Sequence, residues 1–257
     1  MIESLPLAVT GVTTLIGERI LTNATGFFFE RDGNLFVVTG RHVVLDEASE
    51  HHPDRIEIEL HVNRENLGET VQFSIPLYRD GKSVWREGSD SGGAIDVVAI
   101  LLERLALPAK MLYHAFKPAQ LFRKLDMVEM GAPLLIVGFP LGVHDTLHRL
   151  PVARQAVISS SFGIRFQGKG CFLTDARMHR GTSGAPVVAR KVGLGKSGGD
   201  GRGDFPWMLL GVHSAKLDVV NRDASQDESL DLNFAWYADI LLTLTVPPVR
   251  LPARAPA

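Results

Sequence analysis

An all-β fold is predicted by this 257-residue sequence on three observations. Short apolar runs of strand length recur along the chain. Turn signals rich in Gly, Pro, Asn and Asp separate them. One stretch of mixed polarity near the middle, Leu107 to Glu129 with Pro108 and Pro118, breaks the pattern and reads as a partly helical connection between two β domains.

Taken in order, Glu18 to Phe29 is a strand ending in three phenylalanines, Arg31-Asp32-Gly33-Asn34 is a hairpin turn, and Leu35 to Thr39 is the return strand. Ile56 to Val62 alternates apolar with polar residues, as a half-buried strand does. Val71 to Tyr78 is a further strand, with Pro76 marking an edge or a bulge. In the second half, Leu134 to Val137, Val152 to Ser160, Ser161 to Phe166, Val187 to Arg190 and Met208 to His213 read as strands. Phe234, Tyr237, Ile240, Leu241 and Leu244 recur at helical spacing and predict a closing helix. A loop with six glycines from Gly193 to Asp204 and an acidic stretch from Asp218 to Asp231 separate these elements. Gly195-Lys196-Ser197 is no phosphate-cradling loop, because Arg190 stands where the first glycine is needed. The expected division is 1–120, a linker to about 130, 131–245 and a loose proline-rich tail over 246–257.

Composition narrows the function. A net charge of −2 gives no general pull toward nucleic acid or an anionic membrane, and no apolar run reaches the length of a membrane span. One cysteine, Cys171, excludes an internal disulfide and reads as a buried structural thiol in a strand. The start, with Glu3 and no basic region, does not read as a signal peptide, so cytoplasmic residence is the default expectation. His51, His52 and His61 form only a loose cluster without metal-site spacing; no metal or cofactor is implied.

The chemistry lies in three places. Gly181-Thr182-Ser183-Gly184-Ala185-Pro186 sets one hydroxyl among small turn-forming residues ahead of Val187-Val188. An apolar strand ends at Thr39-Gly40-Arg41-His42, with His42 just past it in one helical turn. Asp96 precedes another apolar run in Asp96-Val97-Val98-Ala99. A serine attacks a carbonyl only when a base takes its proton, a third group orients the base, and donors await the oxyanion. Spaced by 54 and 87 residues, His42, Asp96 and Ser183 are the candidate base, orienting group and nucleophile.

These motifs, with Gly211-Val212-His213-Ser214-Ala215 downstream, resemble the trypsin-like (chymotrypsin-fold) serine peptidases, especially the bacterial branch related to the HtrA and glutamyl endopeptidase groups. The resemblance spans roughly residues 20 to 240. It implies two six-stranded Greek-key β-barrels, His42 and Asp96 coming from the first and Ser183 from the second. It implies a serine endopeptidase acting on polypeptides through an acyl-enzyme. The backbone N–H groups of Gly181 and Ser183 would form the oxyanion hole, and Arg177, Met178, His213, Ser214 and Ala215 the substrate pocket. Arg177 stands where relatives that cut after basic residues carry an acid. His213 matches relatives that cut after Glu or Gln, whereas Met178 favours an apolar or small residue. Zymogen relatives carry an aspartate where this chain has Thr182, so no dependence on a cleaved N-terminus is expected. Asp90 is the alternative acid, but it lacks a following apolar strand. With little room for an appended PDZ domain, regulation or substrate delivery would need a separate partner. A catalytically silent peptide-binding module on the same fold is the competing expectation. An α/β-hydrolase is disfavoured because Ala185 replaces the second glycine of its elbow.

Overall fold

The computed structural model describes residues 3–121, 128–190, 205–217 and 230–246. The glycine-rich loop from 193 to 204, nearly all of the acidic stretch, part of the linker and the tail therefore lie outside the described residues.

Thirteen strands make two antiparallel sheets. The first holds β1 (Val9–Ile16), β2 (Arg19–Arg31), β3 (Asn34–Thr39), β4 (Arg55–His61), β5 (Thr70–Pro76), the two-residue β6 (Trp85–Arg86) and β7 (Val98–Leu102), in the order β5-β4-β1-β2-β3-β7-β6. The second holds β8 (Pro133–Gly138), β9 (Val152–Val157), β10 (Cys171–Thr174), β11 (Pro186–Arg190), β12 (Trp207–Lys216) and β13 (Asn233–Tyr237), in the order β9-β8-β11-β12-β13-β10. An antiparallel bridge between Ile158 and Thr174 closes the second sheet on itself. Val84 donates to the Leu77 carbonyl and links the two ends of the first. With β6 set aside and strands numbered one to six within each half, both run 1-2-3-6-5-4 around the circle. This is the all-β, double Greek-key architecture expected.

The side chains explain why so many strands read as unbroken apolar runs. Neighbouring residues of a strand point to opposite faces. Phe28, Leu35, Val37, Val98 and Ile100 fill the interior of the first half. Their neighbours Phe27, Phe29, Phe36, Val38 and Ala99 enter a second apolar layer, which also contains Val137, Val188, Leu209, Val212 and Trp236 from the second half. A third cluster, with Leu134, Ile136, Phe172, Val187 and Leu210, fills the interior of the second half. Strands beside the shared layer are thus buried on both faces, and the apolar–polar alternation of a half-exposed strand disappears.

The hairpin turn is present, with Asp32 and Gly33 both at positive φ, as a tight two-residue connection requires. Three expectations need correction. β1 was not foreseen as a strand. Residues 161–166 form turns, not a strand, and Phe162 packs edge-on against Phe172 and Tyr237. The closing helix is shorter than its spacing predicted. Residues from Asn233 to Tyr237 form β13, paired on both sides, and only Leu241–Leu244 is α-helical (α2). Among the described residues no helix is long and apolar enough to cross a membrane.

Candidate active site

His42 owes its position to the end of β3. Thr39, buried, donates its hydroxyl to the carbonyl of Thr25 at 2.8 Å, and the chain then turns into the four-residue helix α1 (Arg41–Val44). Arg41 anchors that turn through ion pairs with Glu47 and Glu87, both at 3.0 Å. Asp96 lies just before β7 and grips His42 twice. Oδ1 accepts the backbone N–H of His42 at 2.8 Å, and Oδ2 meets ring Nδ1 at 2.7 Å. Burial alone would lower the His42 pKa, but the hydrogen bond and charge of Asp96 outweigh it and raise the pKa above 6.5. Burial likewise works to raise the Asp96 pKa, and the His42 and Ser214 contacts overcome it, so the carboxylate stays ionised. With its proton on Nδ1, the neutral ring leaves Nε2 as an acceptor.

The loop carrying Ser183 is pinned at nearly every polar atom. Thr182 is buried, and both its N–H and its hydroxyl reach the His179 carbonyl, at 3.3 and 2.6 Å. Leu141 N–H binds the Arg180 carbonyl at 2.6 Å. Thr25 Oγ1 donates to the Gly181 carbonyl at 2.7 Å, and its N–H donates to the Ser183 carbonyl at 2.9 Å. Gly184 and Ala185 donate to His213 and Thr182. From 181 to 185, only the N–H groups of Gly181 and Ser183 meet no acceptor among the described residues. Gly181 has φ +94°, and a Cβ there would sit 2.4 Å from the Phe139 carbonyl oxygen, so only glycine fits.

His42 and Ser183 line the same two cavities. The Ser183 hydroxyl makes a long 3.4 Å bond to the Ser214 carbonyl, and none joins it to the His42 ring. Catalytic hydrogen bonds are often long or poorly aligned in a site without substrate and tighten only when it binds.

The smaller cavity, about 460 Å³, is lined by Met178, His213, Ser214 and Ala215 among others. Arg177 is absent from it. Residues 176–178 alternate in the extended chain, burying Ala176 and Met178 and turning Arg177 to solvent. His213 is buried, its Nδ1 has no hydrogen-bond partner among the described residues, and desolvation pushes its pKa down to about 4. Asp90 sits elsewhere, paired with Arg165 at 2.8 Å. Cys171 is buried and its thiol is pushed up to about 11 by desolvation. Among the described residues no group of three or more His, Cys, Asp or Glu is placed to hold a metal ion.

A family model described as "Trypsin-like peptidase domain" matches residues 24–194, more than half of the chain, and that span includes His42, Asp96 and Ser183. The chain belongs to the trypsin-like peptidase family. Among solved structures, the peptidase is similar to the serine endoprotease from Yersinia pestis, at 15% identity and a TM-score of 0.51, covering 93% of this chain and 61% of that one. The likeness is one of fold, and the peptidase spans under two-thirds of that protein's length. It is also similar to Rv3671c from M. tuberculosis H37Rv in an inactive, serine-to-alanine form, at 16% identity and a TM-score of 0.46, covering 95% and 90% of the two chains. No curated protein matches the peptidase.

Sequence reasoning missed several contributors. The sequence points Ser214 only to the pocket, yet its hydroxyl also donates to Asp96 Oδ2. Thr25 ties β2 to the serine loop, and Leu141 lines both cavities with φ +52°. Only the serine in Gly211-Val212-His213-Ser214-Ala215 stood in a motif that pointed toward the site.

Proposed function

We propose that the chain is a working endopeptidase that hydrolyses polypeptides through a covalent acyl-enzyme. The observation that carries this reading is the double grip of Asp96 on His42 in a cavity also lined by Ser183. Asp96 holds the ring so that Nε2 faces the reaction. Ser183 Oγ attacks the scissile carbonyl carbon while its proton passes to Nε2, and the charge forming on the carbonyl oxygen is taken by the N–H groups of Gly181 and Ser183. Nε2 then gives the proton to the departing amine, and water repeats the sequence on the ester. Thr182 satisfies its hydroxyl locally, which supports a site assembled without a cleaved N-terminus. A single buried thiol requires no oxidising compartment, and cytoplasmic residence, with a separate polypeptide for regulation or delivery, is the corresponding proposal.

Fluorophosphonate labelling followed by intact-protein mass spectrometry is the test. Wild type should add one adduct at Ser183, while Ser183→Ala and His42→Ala should add none. A folded wild-type protein that binds peptide but takes no label would be the silent binding module instead.

Two further outcomes follow from the site. kcat/KM should rise with pH through a midpoint above 6.5, because attack needs a neutral His42 and Asp96 favours the charged ring. A midpoint below 6.5 would contradict the role given to Asp96. In the pocket, His213 is uncharged at neutral pH, so it offers a hydrogen bond to a side chain but no counter-ion. A carboxylate buried beside a neutral His213 is costly unless Arg180, which lines the same cavity and is exposed, pairs with it. Matched peptides with Gln before the scissile bond should therefore be cut faster than those with Glu. The reverse order would mean that a cation, Arg180 or a protonated His213, pairs with the carboxylate.

A further inference from the structure

Every hydrogen-bonding group of Thr25 is engaged. Its hydroxyl donates to the Gly181 carbonyl at 2.7 Å and accepts the Phe139 N–H at 3.1 Å. Its N–H donates to the Ser183 carbonyl at 2.9 Å, and its carbonyl accepts the Thr39 hydroxyl at 2.8 Å. Both threonines are fully buried. Thr25 lies on β2 and Thr39 at the end of β3, so both belong to the first half, while the two carbonyls that Thr25 holds belong to the second.

A peptide group is planar and trans, so its C=O and N–H point in opposite directions, and holding the carbonyl aims the N–H. Four successive carbonyls, from Arg180 to Ser183, each meet a donor. The N–H groups of Leu141 and Ala185 take those of Arg180 and Thr182, at 2.6 and 2.9 Å. These are the peptides that carry the N–H groups of Gly181 and Ser183. Thr25 takes the other two, in the peptides that alternate with them. Gly181, at φ +94°, is the joint with the widest freedom in this run. Without the Thr25 hydroxyl, the plane after Gly181 keeps only the long 3.3 Å bond from the Thr182 N–H to the His179 carbonyl, and the Phe139 N–H loses its acceptor.

Thr39 stands three residues before His42. A buried run of bonds thus leads from the turn that carries the base, through Thr39 and Thr25, to the loop that carries the nucleophile. We propose that Thr25 is a positioning residue, which keeps the N–H groups of Gly181 and Ser183 aimed at one point, and that Thr39 sets it in register with His42. Two buried hydroxyls thereby align groups supplied by different halves of the molecule. This inference rests on the endopeptidase reading and adds to it two residues that never touch substrate.

The test is Thr25→Val, which removes the hydroxyl at nearly constant volume, beside Thr25→Ser, which restores it. On a peptide substrate Thr25→Val should lose roughly ten- to a hundredfold in kcat with KM within about twofold, less than the outright loss of an oxyanion donor. The pH midpoint should stay at the wild-type value, because Asp96 still holds His42. A peptide aldehyde, which Ser183 converts to a hemiacetal with its oxygen in the oxyanion hole, should bind more weakly by a similar factor, and the corresponding alcohol as before. Thr25→Ser should recover most of the rate. Thr39→Val should show the same pattern with a smaller loss, and it decides the matter if Thr25→Val does not fold. A folded valine variant with the wild-type kcat, or one that weakens aldehyde and alcohol equally, overturns the inference alone. Wild type that takes no fluorophosphonate overturns the endopeptidase reading and the inference with it.

Discussion

Asp96→Asn is expected to lower kcat by about four orders of magnitude while the protein stays folded. The carboxylate accepts three hydrogen bonds, from the His42 backbone, the His42 ring and the Ser214 hydroxyl. An amide has one oxygen to offer, and its nitrogen donates where an acceptor is required. Keeping the backbone bond to Asn Oδ1 would leave the amide nitrogen facing Nδ1. The ring would then shed its Nδ1 proton and carry it on Nε2, the atom that must receive the Ser183 proton. The pH midpoint should fall as well, because the group that raises the His42 pKa is gone. Linkage gives an independent check. A raised folded-state pKa for His42 stabilises the protein below pH 6.5, and that contribution is lost as pH rises through the folded value. Over the range in which Asp96 is ionised, the stability gap between wild type and Asp96→Asn should therefore narrow as pH rises, and it should narrow again in strong acid where Asp96 protonates. An unchanged kcat in a folded variant would remove Asp96 from the mechanism.

The second large effect is expected at Gly184. Its φ is +83°, and an added Cβ would lie 2.3 Å from both the Thr25 carbonyl oxygen and the Thr39 hydroxyl, and 2.8 Å from the Gly40 nitrogen. None of these can yield alone, since Thr39 is bonded to Thr25, and Thr25 is bonded to Gly181 and Ser183. Gly184→Ala should cost more than about 4 kcal/mol or leave no folded protein. Gly17→Ala separates crowding from backbone conformation, because Gly17 has φ +54° with nothing within 4 Å of a Cβ. It should cost only about 1 kcal/mol. Urea unfolding of the two variants decides the matter, and equal losses would show that contact around Gly184 contributes nothing.

The grouping of His42, Asp96 and Ser183 around one cavity was more legible than the scaffold that brings them together. His42 and Asp96 were legible because each interrupts an apolar run at a strand end, and Ser183 because glycine, alanine and proline crowd around it. Thr25 was not, since its partner Gly181 lies 156 residues away and neither neighbourhood hints at the other. Nor was the contact of Ser214 with Asp96, separated by 118 residues. Phe234 to Tyr237 misled for a different reason. Residues three apart in a short aromatic run fit a helix face, and what makes them a strand is a gap between β12 and β10 that only tertiary structure supplies. Arg177 was carried into the pocket by its offset from the nucleophile, while alternation along the extended chain turns it outward.

The apolar layer shared by the two sheets limits how this molecule can be switched. Phe27, Phe29 and Phe36 on one side meet Val188, Leu209 and Trp236 on the other. Prying the halves apart would wet these aromatic rings, so a hinge between them is too costly to serve as a gate. Any control is therefore expected at the segments around the cleft, and the two halves are expected to unfold in a single calorimetric transition.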